Sequence, residues 1–111
     1  MIVEIRTYRL KAGERDEFVR VMLEESVPLL RSSGIRVVSA GGSLGDQDED
    51  AFLIRAFGSL AEHEEQEAAF YRSDPWVTGP REAIVSRIES SHNVLIELSE
   101  DQVDALEGIP H

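Results

Sequence analysis

The 111-residue sequence predicts an α+β domain in which strands and helices follow one another as strand, helix, strand, strand, helix, strand. Three observations carry that expectation. Four stretches, Ile2 to Leu10, Ile35 to Leu44, Ala51 to Phe57 and Glu89 to Leu98, alternate in polarity or are rich in β-branched residues, as half-buried strands do. Two longer stretches, Glu14 to Ser32 and the segment beginning near Leu60, repeat apolar residues every third or fourth position. The connections are short and no internal repeat interrupts them. That order is the split βαβ arrangement of a ferredoxin-like sandwich.

In the first strand Val3, Ile5 and Thr7 point one way and Glu4, Arg6 and Tyr8 the other. Lys11-Ala12-Gly13 turns the chain into a helix whose stripe is Phe18, Val19, Met22, Leu23, Val27 and Leu30. Glu14, Asp16 and Glu17 suit its first turn, where negative charge meets the positive end of the helix dipole. Pro28 removes a backbone donor from the interior and is expected to bend the helix. Gly34 can take the left-handed cap conformation. In the second strand Gly41-Gly42 suggests a bulge or a close backbone approach.

An acidic turn from Gly45 to Asp50 then joins two strands as a hairpin. Asp46, Asp48 and Asp50 resemble alternating calcium ligands, but the glycine and bidentate glutamate of an EF-hand loop are missing, and a solvated turn is expected. Ser59 and Glu62 have capping-box spacing, so the second helix starts near Leu60. Its stripe is thin (Leu60, Ala61, Ala68, Ala69, Phe70, Tyr71) and it should be well exposed on its polar side. Ser73-Asp74-Pro75 stops it, Trp76 lies in the connector, and Pro80 can open a short helix from Arg81 to about Arg87. Residues 1–98 are read as one domain and 99–111 as an acidic tail with a weak helical signal at Val103 and Leu106.

Composition excludes several function classes. With no cysteine there is no disulfide, thiolate metal site or cysteine nucleophile, and a reducing, cytoplasmic setting is expected. The N-terminus lacks the basic and apolar regions of a signal peptide, and no apolar run approaches the roughly 20 residues of a membrane span. A net charge of −11 argues against nucleic acid, which selects clustered positive charge. Lys11 is the only lysine, so nearly every cation is an arginine suited to fixed pairing with carboxylates.

Taking the more apolar parity of each strand as the helix-covered side places Val3, Ile5, Thr7, Ile35, Val37, Ser39, Phe52, Ile54, Ala56, Val94 and Ile96 there. The opposite side then carries Glu4, Arg6, Tyr8, Arg36, Val38, Ala40, Leu53, Arg55, Phe57, Ser91, Asn93, Leu95 and Glu97. Its mixture of large apolar and paired ionic groups suits sheet-to-sheet pairing of two copies around a partly polar interior, a dimeric α+β barrel. On that face Arg6, Arg36 and Arg55 could converge with the Tyr8 hydroxyl on an anion, or pair with Glu4 and Glu97 across the dimer. Asn93 joins this group as a ligand-binding candidate.

Tyr8 and His92 are the candidate catalytic residues, His92 as a general base, although His92 and Asn93 must point to opposite sides of their strand. Trp76 is a lid or a buried plug, the plug favoured by the packing one tryptophan supplies. His63 and Glu67, an i, i+4 pair, would need a third ligand to hold a metal. His111 is terminal. No metal or cofactor is expected.

The sequence resembles the NIPSNAP family. The stretches that carry the resemblance are EIRTYRLKAG (4–13), Phe18, FGSL (57–60), AAFYRSDPW (68–76) and HNVLIEL (92–98), which together span most of residues 1–98. Ala12 departs from the proline that the family often has. The resemblance implies a domain of the dimeric α+β barrel superfamily, whose members use a pocket between helices and sheet or inside the barrel. That superfamily includes cofactor-independent monooxygenases and small isomerases, so fold alone does not fix the activity. Three readings follow: a homodimer binding a small metabolite, anionic where the arginines converge; a cofactor-free monooxygenase- or isomerase-like enzyme using Tyr8 and His92; and a non-catalytic interaction module.

Overall fold

The computed structural model describes residues 1–45 and 49–108. Its strands are β1 (Ile2–Leu10), β2 (Arg36–Gly42), β3 (Asp50–Phe57) and β4 (Ile88–Glu97), hydrogen-bonded in the order β2-β3-β1-β4 with every neighbouring pair antiparallel. Helices α1 (Arg15–Val21) and α2 (Val27–Ser32), joined by a π-helical turn over Met22–Ser26, connect β1 to β2. Helices α3 (Leu60–Tyr71), α4 (Asp74–Val77) and α5 (Arg81–Val85) connect β3 to β4, and α6 (Glu100–Leu106) follows. This is the α+β, ferredoxin-like arrangement that the element order predicts. Among the described residues no helix is long and apolar enough to cross a membrane. The calcium reading of Asp46 and Asp48, and His111, lie outside the described residues.

Local chemistry accounts for the element ends. Gly13 and Gly34 have φ of +79° and +85°, the left-handed conformation that costs a glycine little. Ser59 Oγ accepts from the Glu62 N–H at 3.1 Å and opens α3, while the Glu62 carboxylate accepts from the Gly58 N–H at 3.0 Å. The bulge of β2 falls at Val38 rather than at the glycines. Gly41 and Gly42 instead allow close approach: a Cβ on Gly41 would sit 3.5 Å from the Phe52 ring, and one on Gly42 3.4 Å from the Arg15 side chain. The first helix buries Phe18, Val21, Met22, Val27 and Leu30, whereas Leu23, expected in the stripe, is exposed. Arg81–Val85 forms the short helix expected after Pro80, and Asp74–Val77 adds a single turn before it.

In β1, β3 and β4 the two faces of the sheet are the reverse of the parity assignment. In β2 Ile35 and Val37 face the helices and Arg36 and Val38 the other side, as assigned, and only beyond the bulge are Ser39 and Ala40 exchanged. Helices cover the side bearing Glu4, Arg6, Tyr8, Leu53, Arg55 and Phe57, where the main core gathers Tyr8, Leu10, Phe18, Met22, Leu30, Leu53, Phe57, Phe70 and Trp76. Register explains which residues share it: Glu4 lies opposite Arg55 and Leu95, and Arg6 opposite Leu53 and Asn93. Val3, Ile5, Ile54, Ala56 and Ile96 point to the other face. The assignment failed because it let apolar content decide, and the polar residues of the helix side neutralise one another rather than needing water.

Residues 99–106 are not a loose extension. Ser99 and Gln102 form a reciprocal capping box, and Val103, 0% exposed, packs on Val3, Val38 and Ala56 at one corner of the open face. Arg36 ties α6 down through Asp104 at 2.5 Å and through Glu107.

Candidate functional site

The site grows from three residues of β1 and one of β3 meeting the inner side of α3. Helical spacing brings His63, Glu67, Phe70 and Tyr71 to one side of α3, at i, i+4, i+7 and i+8. That side descends onto Glu4, Arg6 and Arg55 of the sheet. The helix's apolar stripe is thin because part of what faces the sheet is ionic.

Glu4 and Arg55 are both 0% exposed, and the Arg55 guanidinium grips Glu4 Oε1 through Nε at 3.0 Å and through Nη2. Glu4 Oε2 meets His63 Nε2 at 2.9 Å and Arg6 Nη2 at 3.3 Å. Glu67 Oε1 accepts from Arg6 Nη2 at 2.6 Å and lies 3.4 Å from Arg55 Nη2. The Tyr71 hydroxyl accepts from both arginines, at 3.2 Å from Arg6 and 3.0 Å from Arg55. Asn93 Oδ1 accepts from Arg6 Nε at 2.8 Å. Two carboxylates thus balance two guanidiniums, Glu4 and Arg55 fully buried and Arg6 and Glu67 partly so, with each charge hydrogen-bonded, which is the condition for burying charge at all.

Burial alone would raise the Glu4 carboxyl. The Arg55 charge, hydrogen bonds from His63 and Arg55, and the Arg6 charge outweigh it and hold the carboxyl at about 2. Burial likewise pushes the Tyr8 phenol up, well above its ordinary range, so Tyr8 stays neutral and is not a base near neutral pH.

Above this cluster lies a cavity of about 80 Å³ between the sheet and the helices. Its lining is largely apolar, including Met22, Leu30, Leu53, Phe70, Trp76 and Ile84, with Arg6, Tyr8, Ser26 and Tyr71 as the polar members. Trp76 is 6% exposed, with its ring centroid 5.3 Å from those of both Phe70 and Tyr71, and is therefore wall as well as plug. A larger hollow of about 220 Å³ touches Thr7, Tyr8, Arg9, Asp50, Ser90, Ser91 and His92 at the ends of β1 and β4, but it is a more open surface dish.

The structure brings together Arg6, Tyr8, Arg55, Asn93 and Trp76 on the helix side. It separates two other candidates from them. Arg36 pairs with Ala56 on the open face and is engaged by α6, because it is one residue out of phase with Val37, which sits opposite Arg55. His92 is exposed opposite Thr7, whereas Tyr8 lies opposite Ser91, so the candidate catalytic pair is split across the sheet. The pairing expected between subunits is found within one chain, where Glu4 holds Arg6 and Arg55 and Glu97 takes no part.

Sequence reasoning missed Ser26, Tyr71 and the inward direction of His63 and Glu67. The i, i+4, i+7, i+8 phase with Phe70 and Tyr71 was the signal for the α3 residues. Glu4 supplies the third potential metal ligand beside His63 and Glu67, with ligand atoms within 4.8 Å of one another. The donor set fits a cation poorly, since both carboxylates already face the guanidiniums of Arg6 and Arg55, whose positive charges would repel it.

The profile of the NIPSNAP family matches residues 3–100. A search of curated proteins gave no match. Among solved structures, a protein from Agrobacterium tumefaciens is similar over 90% of this chain and 95% of its own, with 27% identity and a TM-score of 0.79. An uncharacterized NIPSNAP domain protein from Burkholderia xenovorans is similar over 90% of this chain and 96% of its own, with 22% identity and a TM-score of 0.76. A Nitrosomonas europaea protein, named as a candidate antibiotic biosynthesis monooxygenase, shares the fold at 17% identity and a TM-score of 0.65, over 88% of this chain and 98% of its own.

Proposed function

The chain belongs to the NIPSNAP family, and from that premise we propose that it is a homodimeric barrel that binds a small molecule in the cavity between the helices and the sheet of each subunit. The observation that carries this reading is the cavity itself, apolar along its walls and floored by a charge-neutral network that fixes Arg6, Tyr71 and Arg55 in place. The open sheet face supports the dimer. Ile5, Phe52, Ile54, Val94 and Ile96 lie there, with Ile5, Ile54 and Ile96 partly buried against the corner that α6 covers. A one-sided antiparallel sheet ordinarily turns polar residues to water. An apolar face of this kind is self-complementary across a twofold axis, and a second copy is its simplest cover.

An anionic ligand loses support because Arg6 and Arg55 are already neutralised by Glu4 and Glu67. The enzyme reading loses the cooperation of Tyr8 with His92, and the monooxygenase-named neighbour lends it only a fold. The test is a thermal-shift screen of neutral, anionic and cationic small molecules against the protein and against Ile84→Phe, which fills the cavity. At 100-fold excess over Kd a ligand adds about 2.7 kcal/mol, several degrees in Tm for a domain of this size. We expect neutral compounds to raise Tm and Ile84→Phe to abolish the effect. A screen in which no class raises it would overturn the reading.

A further inference from the structure

Between α1 and α2 the helix widens for one turn, and the Val27 N–H reaches back five residues to the Met22 carbonyl. Pro28 explains the position of that turn. It has no N–H to give and its ring would collide with the carbonyl four residues earlier, a conflict that a wider turn relieves. The turn's last residue is Ser26, which is 2% exposed and lies on the cavity wall between Met22 and Leu30. A helical serine commonly returns its hydroxyl to the carbonyl four residues back. Ser26 Oγ does not, and among the described residues it has no hydrogen-bond partner. A buried hydroxyl left so is costly unless something else meets it.

We propose that Ser26 Oγ anchors the one polar group of the ligand, and that this ligand is a small uncharged aliphatic alcohol or carbonyl compound. The inference rests on the reading of the cavity as the binding site. Charge argues for neutrality: every nitrogen of the Arg6 guanidinium is already held, by Asn93, Tyr71, Glu4 and Glu67. Apart from the Tyr8 and Tyr71 hydroxyls the remaining wall is apolar, so most of the molecule is hydrocarbon. The cavity of about 80 Å³ holds the bulk of some two to three waters, or roughly four to six heavy atoms of an organic molecule. A longer chain would leave past the exposed Val85 at its rim. A serine hydroxyl both donates and accepts, so hydroxyl and carbonyl are both admitted.

The test uses butan-1-ol, butanone, butyrate at pH 7 and cyclopentane, titrated against the full chain while the methyl resonances of Met22 and Ile84 are followed by NMR. In the wild-type protein the alcohol and the ketone should bind more tightly than butyrate. Ser26→Ala should weaken both by about three- to tenfold, the worth of one neutral hydrogen bond, and leave cyclopentane unchanged. Ser26→Cys, nearly isosteric, should give the same ordering if the alanine variant folds poorly. The ligand class is wrong if butyrate binds best, or if removing the hydroxyl leaves the alcohol and ketone unaffected. It is also wrong if a crystal soaked in butan-1-ol shows Ser26 Oγ bonded to an undisplaced water. Binding of cyclopentane alone would sink the anchor and spare the cavity; failure of all four probes would sink both.

Discussion

On one side of the sheet Glu4, Arg6, Tyr8 and Arg55 lie beneath helices, and on the other Ile5, Ile54, Val94 and Ile96 lie beneath nothing but the corner occupied by α6. An isolated monomer with a solvated sheet would carry them the other way round. The covered face tolerates its charges because they close on one another, with Glu4 shared by Arg55, His63 and Arg6. The open face has no such internal solution, and removing its apolar area from water takes another surface, at about 25 cal/mol per Å². Polarity therefore fails to mark the outside of a sheet when its charges close on one another beneath helices.

The largest way to break the contrast is to unbalance the covered face. Arg55→Met leaves the Glu4 carboxylate buried with half its partners gone, and urea denaturation should register a loss of about 3–5 kcal/mol. Replacing both, Glu4→Met with Arg55→Met, should cost less than Arg55→Met alone, because no orphan charge remains. A double variant that is the less stable of the two would show that the ions contribute net stability rather than merely tolerating burial.

Acid sharpens the same point without mutation. The Glu4 carboxyl is held down to about 2 in the fold from an ordinary 4.5. Its contribution is then complete above about 4.5 and lost as pH falls towards 2. Urea midpoints measured across that window should fall in the wild-type protein and fall less steeply in Glu4→Gln. Smaller again is the corner of the open face already covered within the chain. Val103→Ala should cost about 1–3 kcal/mol, the worth of one buried valine, and loosen α6 from Val3 and Ala56. Amide exchange in α6 would report it, and unchanged protection there would mean that Arg36 with Asp104 and Glu107 holds the helix by itself.

Element order, the Ser59 cap and the Gly34 stop were legible because each rests on local chemistry: period-2 and period-3.6 patterning, a side-chain oxygen at a helix start, a left-handed glycine at its end. So was the incompatibility of His92 with Asn93, which needs only the pleat. In β2 the helix side was legible at Ile35 and Val37, but in β1 it was not, since β1 offers Val3 and Ile5 on one side and Tyr8 and Leu10 on the other, and both sets are good core formers. Arg6, Tyr8 and Arg55 could be named from one sequence. Their partners Glu67 and Tyr71 could not, because α3 looks like a solvated acidic helix until its phase is laid over the charges of β1. Ser26 was hidden more deeply: its direction depends on a π turn that Pro28 provokes, and a mark at Pro28 says only that the helix is disturbed.

The most direct test of the central claim is light scattering of the wild-type protein and of Ile54→Lys at micromolar concentration. If the apolar open face is where two copies meet, the wild-type particle should weigh twice the 12.4 kDa chain. Ile54→Lys, which buries an unpaired charge at that contact at a cost of several kcal/mol, should weigh one chain while keeping its circular dichroism. A wild-type particle of a single chain, or a dimer indifferent to a lysine at position 54, would contradict it.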